Sequence, residues 1–112
     1  MAITAKNLVP SAQIAAALTT YYTATNVRAI IDKATICNDS AGAVSVDVHI
    51  VPQGGTADST NIVISDKSIN ADETYTCPEL VGHVLESGSF LRAVASAATS
   101  LTFRVSGREV TL

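Results

Sequence analysis

Asp47 and His49 are the two side chains whose types and spacing come nearest to a chemical site. They stand two residues apart in VSVDVHIV, residues 44–51, and would therefore project from the same face of a β-strand. A carboxylate beside an imidazole can form an acid–base pair or supply two metal ligands. A metal site needs three or four ligands, and no third one is identifiable in the sequence. We therefore expect both side chains to decorate the solvent face of the strand.

The other histidine, His83, lies in LVGHVLE, residues 80–86. If this segment were helical, Glu79 and Glu86 would lie four residues before and three residues after it, on its side of the helix. Gly82 and the short length of the segment argue against a helix. We expect His83 to lie in a solvated turn or at an interface, and not in a Glu–His site.

Two short phrases come close to functional motifs without matching them. Ser87 and Ser89 flank Gly88 in ESGSF, which is not the G-x-S-x-G turn of the serine hydrolases. Gly54 and Gly55 lack the lysine and the helix that complete a phosphate-binding loop. We expect no catalytic residue, no metal site and no cofactor, and we expect that the chain is not an enzyme.

Cys37 and Cys77 form no C-x-x-C pair, and with two distant histidines they do not give a zinc-binding spacing. We expect buried, reduced thiols that behave as small apolar side chains. A disulfide between them requires that the strands carrying them pair.

The elements that would position these side chains are β-strands, because apolar residues recur at every second position. In residues 44–51 the inward set comprises Val44, Val46, Val48 and Ile50. The same period predicts three further inward sets, which are Leu101, Phe103 and Val105; Leu91, Ala93 and Ala95; and Ile30, Ala34 and Ile36. Around residues 90–95 neither face is fully polar, which indicates an interior strand or a contact face.

Turn sequences separate these strands at intervals of roughly ten residues. They are NDSAG at 38–42, which has a hairpin signature, PQGGTADST at 52–60, NADE at 70–73, ESGS at 86–89 and SAATS at 96–100. The chain has no long segment with a helical period. We therefore predict an all-β fold, a single antiparallel β-sandwich of jelly-roll or immunoglobulin-like type with about seven to nine strands.

We divide the chain into an extended N-terminal arm, residues 1–14, and a β-sandwich domain, residues 15–112. The stretch MAITAKNLVPSAQIAAAL is polar at its start and apolar at its end. Such a segment suits an arm that becomes ordered against a neighbouring subunit. After it, Tyr21 and Tyr22 should point to opposite faces of a strand, one packing in the core and the other anchoring an interface.

The charge balance limits the classes of partner. Seven Lys and Arg against ten Asp and Glu give a net charge of −3, and the basic residues are scattered. Nucleic-acid binding needs clustered positive charge, and a membrane helix needs about 18 consecutive apolar residues, so we expect neither partner. Charged residues make up 15% of the chain, and a surface this low in charge suits close contact with neighbouring protein subunits.

Three phrases resemble a group of small proteins encoded among the structural genes of tailed bacteriophages. They are IIDKATICN at 30–38, ETYTCPELVGHVLESG at 73–88 and SLTFRVSGREV at 100–110, and the resemblance covers roughly residues 15–111. The phrases are patterns of strands and turns and contain no catalytic motif. The resemblance therefore bears on fold and context more than on activity.

The resemblance implies a virion structural protein, similar in size and strand pattern to capsid decoration (cement) proteins, which bind the outer shell and brace neighbouring capsomers. The implied partners are the major capsid protein and further copies of the chain, as a homo-oligomer on the particle. The implied location is the capsid exterior, after assembly in the host bacterial cytoplasm. Two alternatives stay open, which are a tail, collar or fibre-attachment component and a small β-sandwich binding module.

Overall fold

The computed structural model describes residues 2–112, which form nine β-strands in two antiparallel sheets. The strands are β1 (Ile3–Gln13), β2 (Thr19–Thr23), β3 (Val27–Asn38), β4 (Val44–Val51), β5 (Ile62–Ile69), β6 (Thr74–Tyr75), β7 (Val84–Leu85), β8 (Phe90–Ala95) and β9 (Leu101–Thr111). The predicted all-β sandwich is confirmed.

The strand order identifies the type of sandwich. The five-stranded sheet has the order β1-β9-β3-β6, with β7 also pairing to β3, and the four-stranded sheet has the order β2-β8-β4-β5. The first strand thus pairs with the last, the second with the last but one, and β6 and β7 act as two pieces of one interrupted strand. This nested pairing is that of a jelly roll, one of the two types predicted.

The core lies between the sheets and follows the predicted period on the central strands. The buried residues on β9 and β8 are Leu101, Phe103 and Val105, and Leu91, Ala93 and Ala95. Strand β8 lies between β2 and β4, which confirms the prediction of an interior strand or contact face for residues 90–95.

A β-bulge in β3 changes which of its residues face the core. The pairing with β9 shifts just after Ile31, so that Ala29 and Ile31 are buried and Ile30 turns outward. The predicted inward position of Ile30 is therefore wrong, because an extra residue reverses the alternation. Beyond the bulge, Ala34 and Ile36 are buried as predicted.

Gly107 on β9 lies beside this bulge, and its missing side chain makes room for it. A Cβ atom at Gly107 would clash with the carbonyl oxygen of Ile30 and would lie 3.2 Å from Cδ1 of Leu8. Strand β1 also bulges here, between Asn7 and Val9. The glycine of SLTFRVSGREV therefore marks a place where the backbone of β3 approaches β9 closely and the Leu8 side chain of β1 packs beside them.

Residues 3–13 are not a separate arm, because they form β1 at the edge of the five-stranded sheet. They pair with β9 from Ile3 opposite Val110 onward. Leu8, Val9 and the following Ile14 are buried in the core of the same chain. The apolar end of the segment is thus covered only in part within the chain, since Ile14 is buried and Leu18 is 37% exposed. We correct the predicted boundary at residue 14; Met1 lies outside the described residues.

Both tyrosines of β2 pack against the core, so the expected interface tyrosine is not there. The pairing of β2 with β8 shifts between Thr20 and Tyr22, which breaks the alternation of faces. The ring of Tyr21 meets that of Phe103 edge to face, with centroids 5.9 Å apart. Tyr22 is buried, and its hydroxyl donates a hydrogen bond to Glu109.

Residues 38–42 connect the two sheets and do not form the predicted hairpin, since β3 and β4 lie in different sheets. Asn38 is fully buried at this corner. Its side-chain amide donates to the carbonyl oxygens of Gly42, at 2.9 Å, and Ile69, at 2.8 Å, and its Oδ1 accepts the backbone N–H of Ser40 at 2.9 Å. The same small polar residues serve hairpins and corners, which is why their composition alone did not separate the two.

Candidate functional site

Asp47 and His49 project from the outer face of β4, but each is held by a different backbone segment. The Asp47 carboxylate accepts the backbone N–H of Asp66 at 2.6 Å, where the pairing of β4 with β5 is irregular. Nδ1 of His49 lies 2.8 Å from Oδ1 of Asn61, beyond the other end of that irregularity. The two side chains therefore do not act on a common atom as an acid–base pair would.

The predicted solvent exposure of His49 is wrong, because only 8% of the residue is exposed. Residues 52–61 fold over the outer face of β4 and cover it. Val51, the next outward residue on the strand, is fully buried under the same loop. The alternation of residues 44–51 predicts the face on which His49 lies, but it does not predict that the loop at residues 52–61 covers this face.

Asn61 organises that loop. Its Oδ1 also accepts the backbone N–H of Asp58, at 3.1 Å, and its Nδ2 donates to the carbonyl oxygen of Thr56, at 2.8 Å. Because Oδ1 can only accept, His49 donates through Nδ1. Asp58 in turn accepts the N–H of Thr60 at 2.8 Å and its hydroxyl at 2.5 Å, and these hydrogen bonds lower the pKa of Asp58. The phrase DSTN, an aspartate turn followed by asparagine, is the signal that marks this structure.

His83 lies in an exposed turn, which was one of the two predicted settings. The two glutamates near it in sequence bind other residues. Glu79 accepts the hydroxyl of Tyr75, which lowers the pKa of Glu79, and Glu86 accepts Nε of Arg28 at 2.8 Å. Both carboxylates thus form hydrogen bonds with residues other than His83.

The remaining sequence candidates lie in turns that connect strands. The backbone N–H of Gly55 donates to the carbonyl oxygen of Pro52 at 2.9 Å, and the carbonyl oxygen of Ser89 accepts the N–H of Ala24 at 3.0 Å. Within residues 2–112 no group of three or more His, Cys, Asp or Glu side chains is placed to hold a metal ion. The same residues contain no helix that is long and apolar enough to cross a membrane.

Both thiols are free, although Cys37 lies on β3 and Cys77 lies just after its neighbour β6. Cys37 lies opposite Thr74, at the pairing of β3 with β6, and Cys77 follows β6 by two residues. Cys77 is fully buried and Cys37 is half-buried. Burial raises the pKa of the Cys77 thiol to about 12, with a smaller contribution from the charge of Glu79.

The outer face of the five-stranded sheet carries aliphatic side chains that the described residues do not cover. Ile3 pairs with Val110 across β1 and β9, and Ile30 pairs with Val84 across β3 and β7. Ile3 is 63% exposed and Val84 is 42% exposed. We call these four residues the aliphatic patch.

Two ion pairs lie among the residues of the aliphatic patch, because Arg28 is opposite Val110 and Arg108 is opposite Ile30 across β3 and β9. Arg108 binds Asp32 through Nε, 3.0 Å from Oδ2, and through Nη2, 3.0 Å from Oδ1. Arg28 binds Glu86 at 2.8 Å. Exposed pairs of this kind add little to stability. They do neutralise the arginine charges between the two aliphatic pairs, so the surface mixes aliphatic side chains with paired charges.

Farther along the same face, Lys33 and Arg104 line a shallow depression of about 140 Å³ together with Thr35 and Ser106. Within the described part of the chain neither cation lies within ion-pair distance of a carboxylate. The depression therefore presents two uncompensated positive charges to a partner, next to a neutral apolar surface.

Two pairs of adjacent aliphatic residues in the sequence are a signal for this surface. Ile30 and Ile31 are adjacent, as are Val84 and Leu85. Two neighbouring residues of a regular strand point to opposite faces, so one member of each pair must leave the core. Ile31 and Leu85 are buried, and their neighbours form half of the patch.

A larger, apolar groove of about 360 Å³ opens beside the start of β5. Ile50, Val63 and Ile62 contribute its aliphatic surface, and His83 and Asn61 contribute polar groups. Because Asn61 is already bonded to His49 and Thr56, the groove is built around a structural contact.

No protein-family model matches the chain, and no curated protein matches it. Among solved structures it is similar to that of the infectious bursal disease virus Gx strain, with 16% identity and a TM-score of 0.47 over 96% of this chain and 30% of the other. It is also similar to the infectious bursal disease virus VP2 subviral particle, with 13% identity and a TM-score of 0.44 over 96% of this chain and 31% of the other. The chain thus spans less than a third of those chains. Similarity at this level carries no argument about function, so the proposals that follow rest on the residues of this chain.

Proposed function

We propose that this chain is a structural component of a tailed-bacteriophage virion, a decoration protein that binds the outer surface of the capsid. The observation that carries the proposal is where the phrases that resemble phage structural proteins lie in the fold. IIDKATICN lies in β3, SLTFRVSGREV in β9, and ETYTCPELVGHVLESG spans β6 and β7. All of these strands belong to the five-stranded sheet, where β3 pairs with each of the other three.

The same sheet supplies the surface that we assign to the capsid contact. Its outer face carries the aliphatic patch with its two ion pairs, and the cations Lys33 and Arg104. Apolar area removed from water contributes about 25 cal/mol per Å², and two free cations favour an acidic counterpart. The partner proposed is therefore a surface of the major capsid protein with apolar side chains and exposed carboxylates.

Stabilisation of the shell follows from binding only the assembled lattice. A ligand that binds the assembled state and not its separated subunits shifts the equilibrium toward assembly by mass action. Many weak contacts repeated over a symmetric shell add together, so each copy needs only a modest affinity. A small rigid sandwich with one contact face is sufficient for this role.

A structural role also agrees with what Asp47 and His49 do. The Asp47 carboxylate holds the backbone of Asp66, and the His49 imidazole holds Asn61. Both polar groups stabilise the irregular pairing of β4 with β5 and the loop beyond it. We assign them to the fold and not to catalysis.

The test is to delete the gene from the phage, collect the resulting particles, and compare them with complete ones. Immunogold electron microscopy against this chain should label the heads of complete particles and nothing on deletion particles. Deletion particles should also release DNA at a lower temperature or a milder osmotic shock. Label on the tail or collar would favour the tail-component alternative, and absence of the chain from purified particles would overturn the virion role.

A further inference from the structure

One edge of the five-stranded sheet is open over a regular stretch. Ile3 to Asn7 pair with Val110 to Ser106 without interruption, and all five residues of the stretch are exposed. The N–H of Thr111 donates to the carbonyl oxygen of Ala2, which places the backbone groups of residue 2 toward β9. Since these groups alternate along an antiparallel strand, the N–H and C=O of Ile3, Ala5 and Asn7 point away from β9, toward the free edge.

The other edges of the sandwich carry features that discourage strand addition. Strand β1 itself bulges twice after Asn7 and contains Pro10. Strand β2 is short and bulged, and β6 and β7 have two residues each. Strand β5 bulges at Asp66, and its Lys67 ammonium lies 4.9 Å from the ring centroid of Tyr75 on the other sheet. Bulges, prolines, short strands and charged side chains are the usual protection of sheet edges. Residues 3–7 have one of these features, Lys6, and its charge is paired with Glu109 at 3.4 Å.

The open stretch is also complementary to itself. If two copies pair antiparallel about Ala5, then Ala5 meets Ala5 of the second copy, and Ile3 meets its Asn7. All three are residues whose backbone groups face the edge, so the six groups of each copy find partners. Lys6 would come opposite Thr4 of the second copy, and its charge is already balanced by Glu109, 3.4 Å away. The small side chain of Ala5 lets the two strands approach at the two-fold axis.

We propose that residues 3–7 of β1 pair with the same residues of a second copy of this chain, joining two five-stranded sheets into one continuous sheet. Ile3, which is 63% exposed, is then covered in part by the neighbouring strand. The contact is small, so the dimer forms at high local concentration, as in purified protein at high concentration or among copies held side by side. The inference concerns the purified chain and does not depend on the virion role.

The test is analytical ultracentrifugation of the purified full chain over a concentration series. Wild type should pass from monomer to dimer. Ala5→Asp and Ala5→Lys, each of which places like charges opposite each other at the axis, should weaken the dimer by at least about tenfold. An equimolar mixture of the two variants should recover a dimer, because the charges are then opposite.

A second pair of variants distinguishes a loss of edge pairing from a loss of folding. Ala5→Pro removes an N–H that points away from β9, so it should leave thermal unfolding close to that of wild type while abolishing the dimer. Ala5→Ser, which keeps the N–H, is the matched control and should still dimerise. Wild type that is monomeric at every concentration, or charge variants that dimerise as wild type does, would overturn the inference. Failure of the Asp and Lys variants to recover a dimer together would do the same.

Discussion

Nδ1 of His49 lies 2.8 Å from Oδ1 of Asn61, and this contact ties the outer face of β4 to the loop that covers it. The strand pattern predicts a solvent-exposed imidazole, but His49 is only 8% exposed, and its side chain holds the loop through Asn61.

His49→Ala should therefore destabilise the protein. The substitution removes a buried hydrogen bond and leaves space beneath residues 52–61, and we expect a loss of about 1–2 kcal/mol in the free energy of unfolding. Urea denaturation followed by circular dichroism measures it. His83→Ala, in an exposed turn, is the matched control and should change stability by less than about 0.5 kcal/mol. Equal stability of the two variants would mean that the contact with Asn61 contributes nothing.

The sheet interior was predictable because nothing interrupts its alternation. On β9, Leu101, Phe103 and Val105 are buried as the period of two requires, and so are their counterparts on β8. To predict which side chains of a half-buried strand face the core, only the period and the identity of the apolar set are needed. Both can be read from the residues themselves.

The bulges were not predictable in the same way. In β3 the shift after Ile31 reverses the faces, and in β2 a shift brings both Tyr21 and Tyr22 onto the core. A bulge depends on the backbone of the neighbouring strand, and the bulge in β3 depends on the missing side chain of Gly107. Which strands are neighbours follows from the topology. The burial of His49 depended likewise on a loop, and the place of residues 3–13 depended on the free edge of β9.

Gly107→Ala should be strongly destabilising. A Cβ atom at this position would clash with the backbone of Ile30, which cannot rotate away as a side chain could. We expect a loss of about 3 kcal/mol or more, which thermal unfolding would report as a much lower Tm. Gly42→Ala provides the control, since a Cβ atom there would meet nothing within 4 Å. If Gly107→Ala melts with wild type, the close approach of β3 and β9 is wrong.

The stability of the protein should fall at alkaline pH, in part through Cys77. Burial raises the pKa of its thiol to about 12, whereas an exposed thiol titrates near about 8.5. The folded state therefore keeps the proton more tightly, so this contribution is complete below about pH 8.5 and is lost as the pH rises toward 12. The pKa values of Tyr22 and Tyr75 are raised as well, mainly by burial, and act in the same direction.

The free energy of unfolding of each protein should therefore be compared at neutral pH and at about pH 10. Its decrease between the two pH values should be smaller for Cys77→Ala than for wild type. Urea unfolding at both pH values measures the difference. Identical alkaline losses in wild type and Cys77→Ala would show that the Cys77 thiol does not contribute.

The most direct test of the central claim is the occupancy of capsids by variants of the aliphatic patch. Purified wild type, Val84→Asp and Leu18→Asp would be added to particles that lack the protein, and bound copies per particle would be counted after sedimentation. Val84 is 42% exposed on the proposed contact face, and Leu18, 37% exposed, lies before β2 of the other sheet. A charge buried without a partner is costly, so Val84→Asp should bind at least about tenfold more weakly than wild type, while Leu18→Asp binds normally and both remain folded. Equal occupancy by all three proteins, or wild type that binds no capsid, would contradict the account.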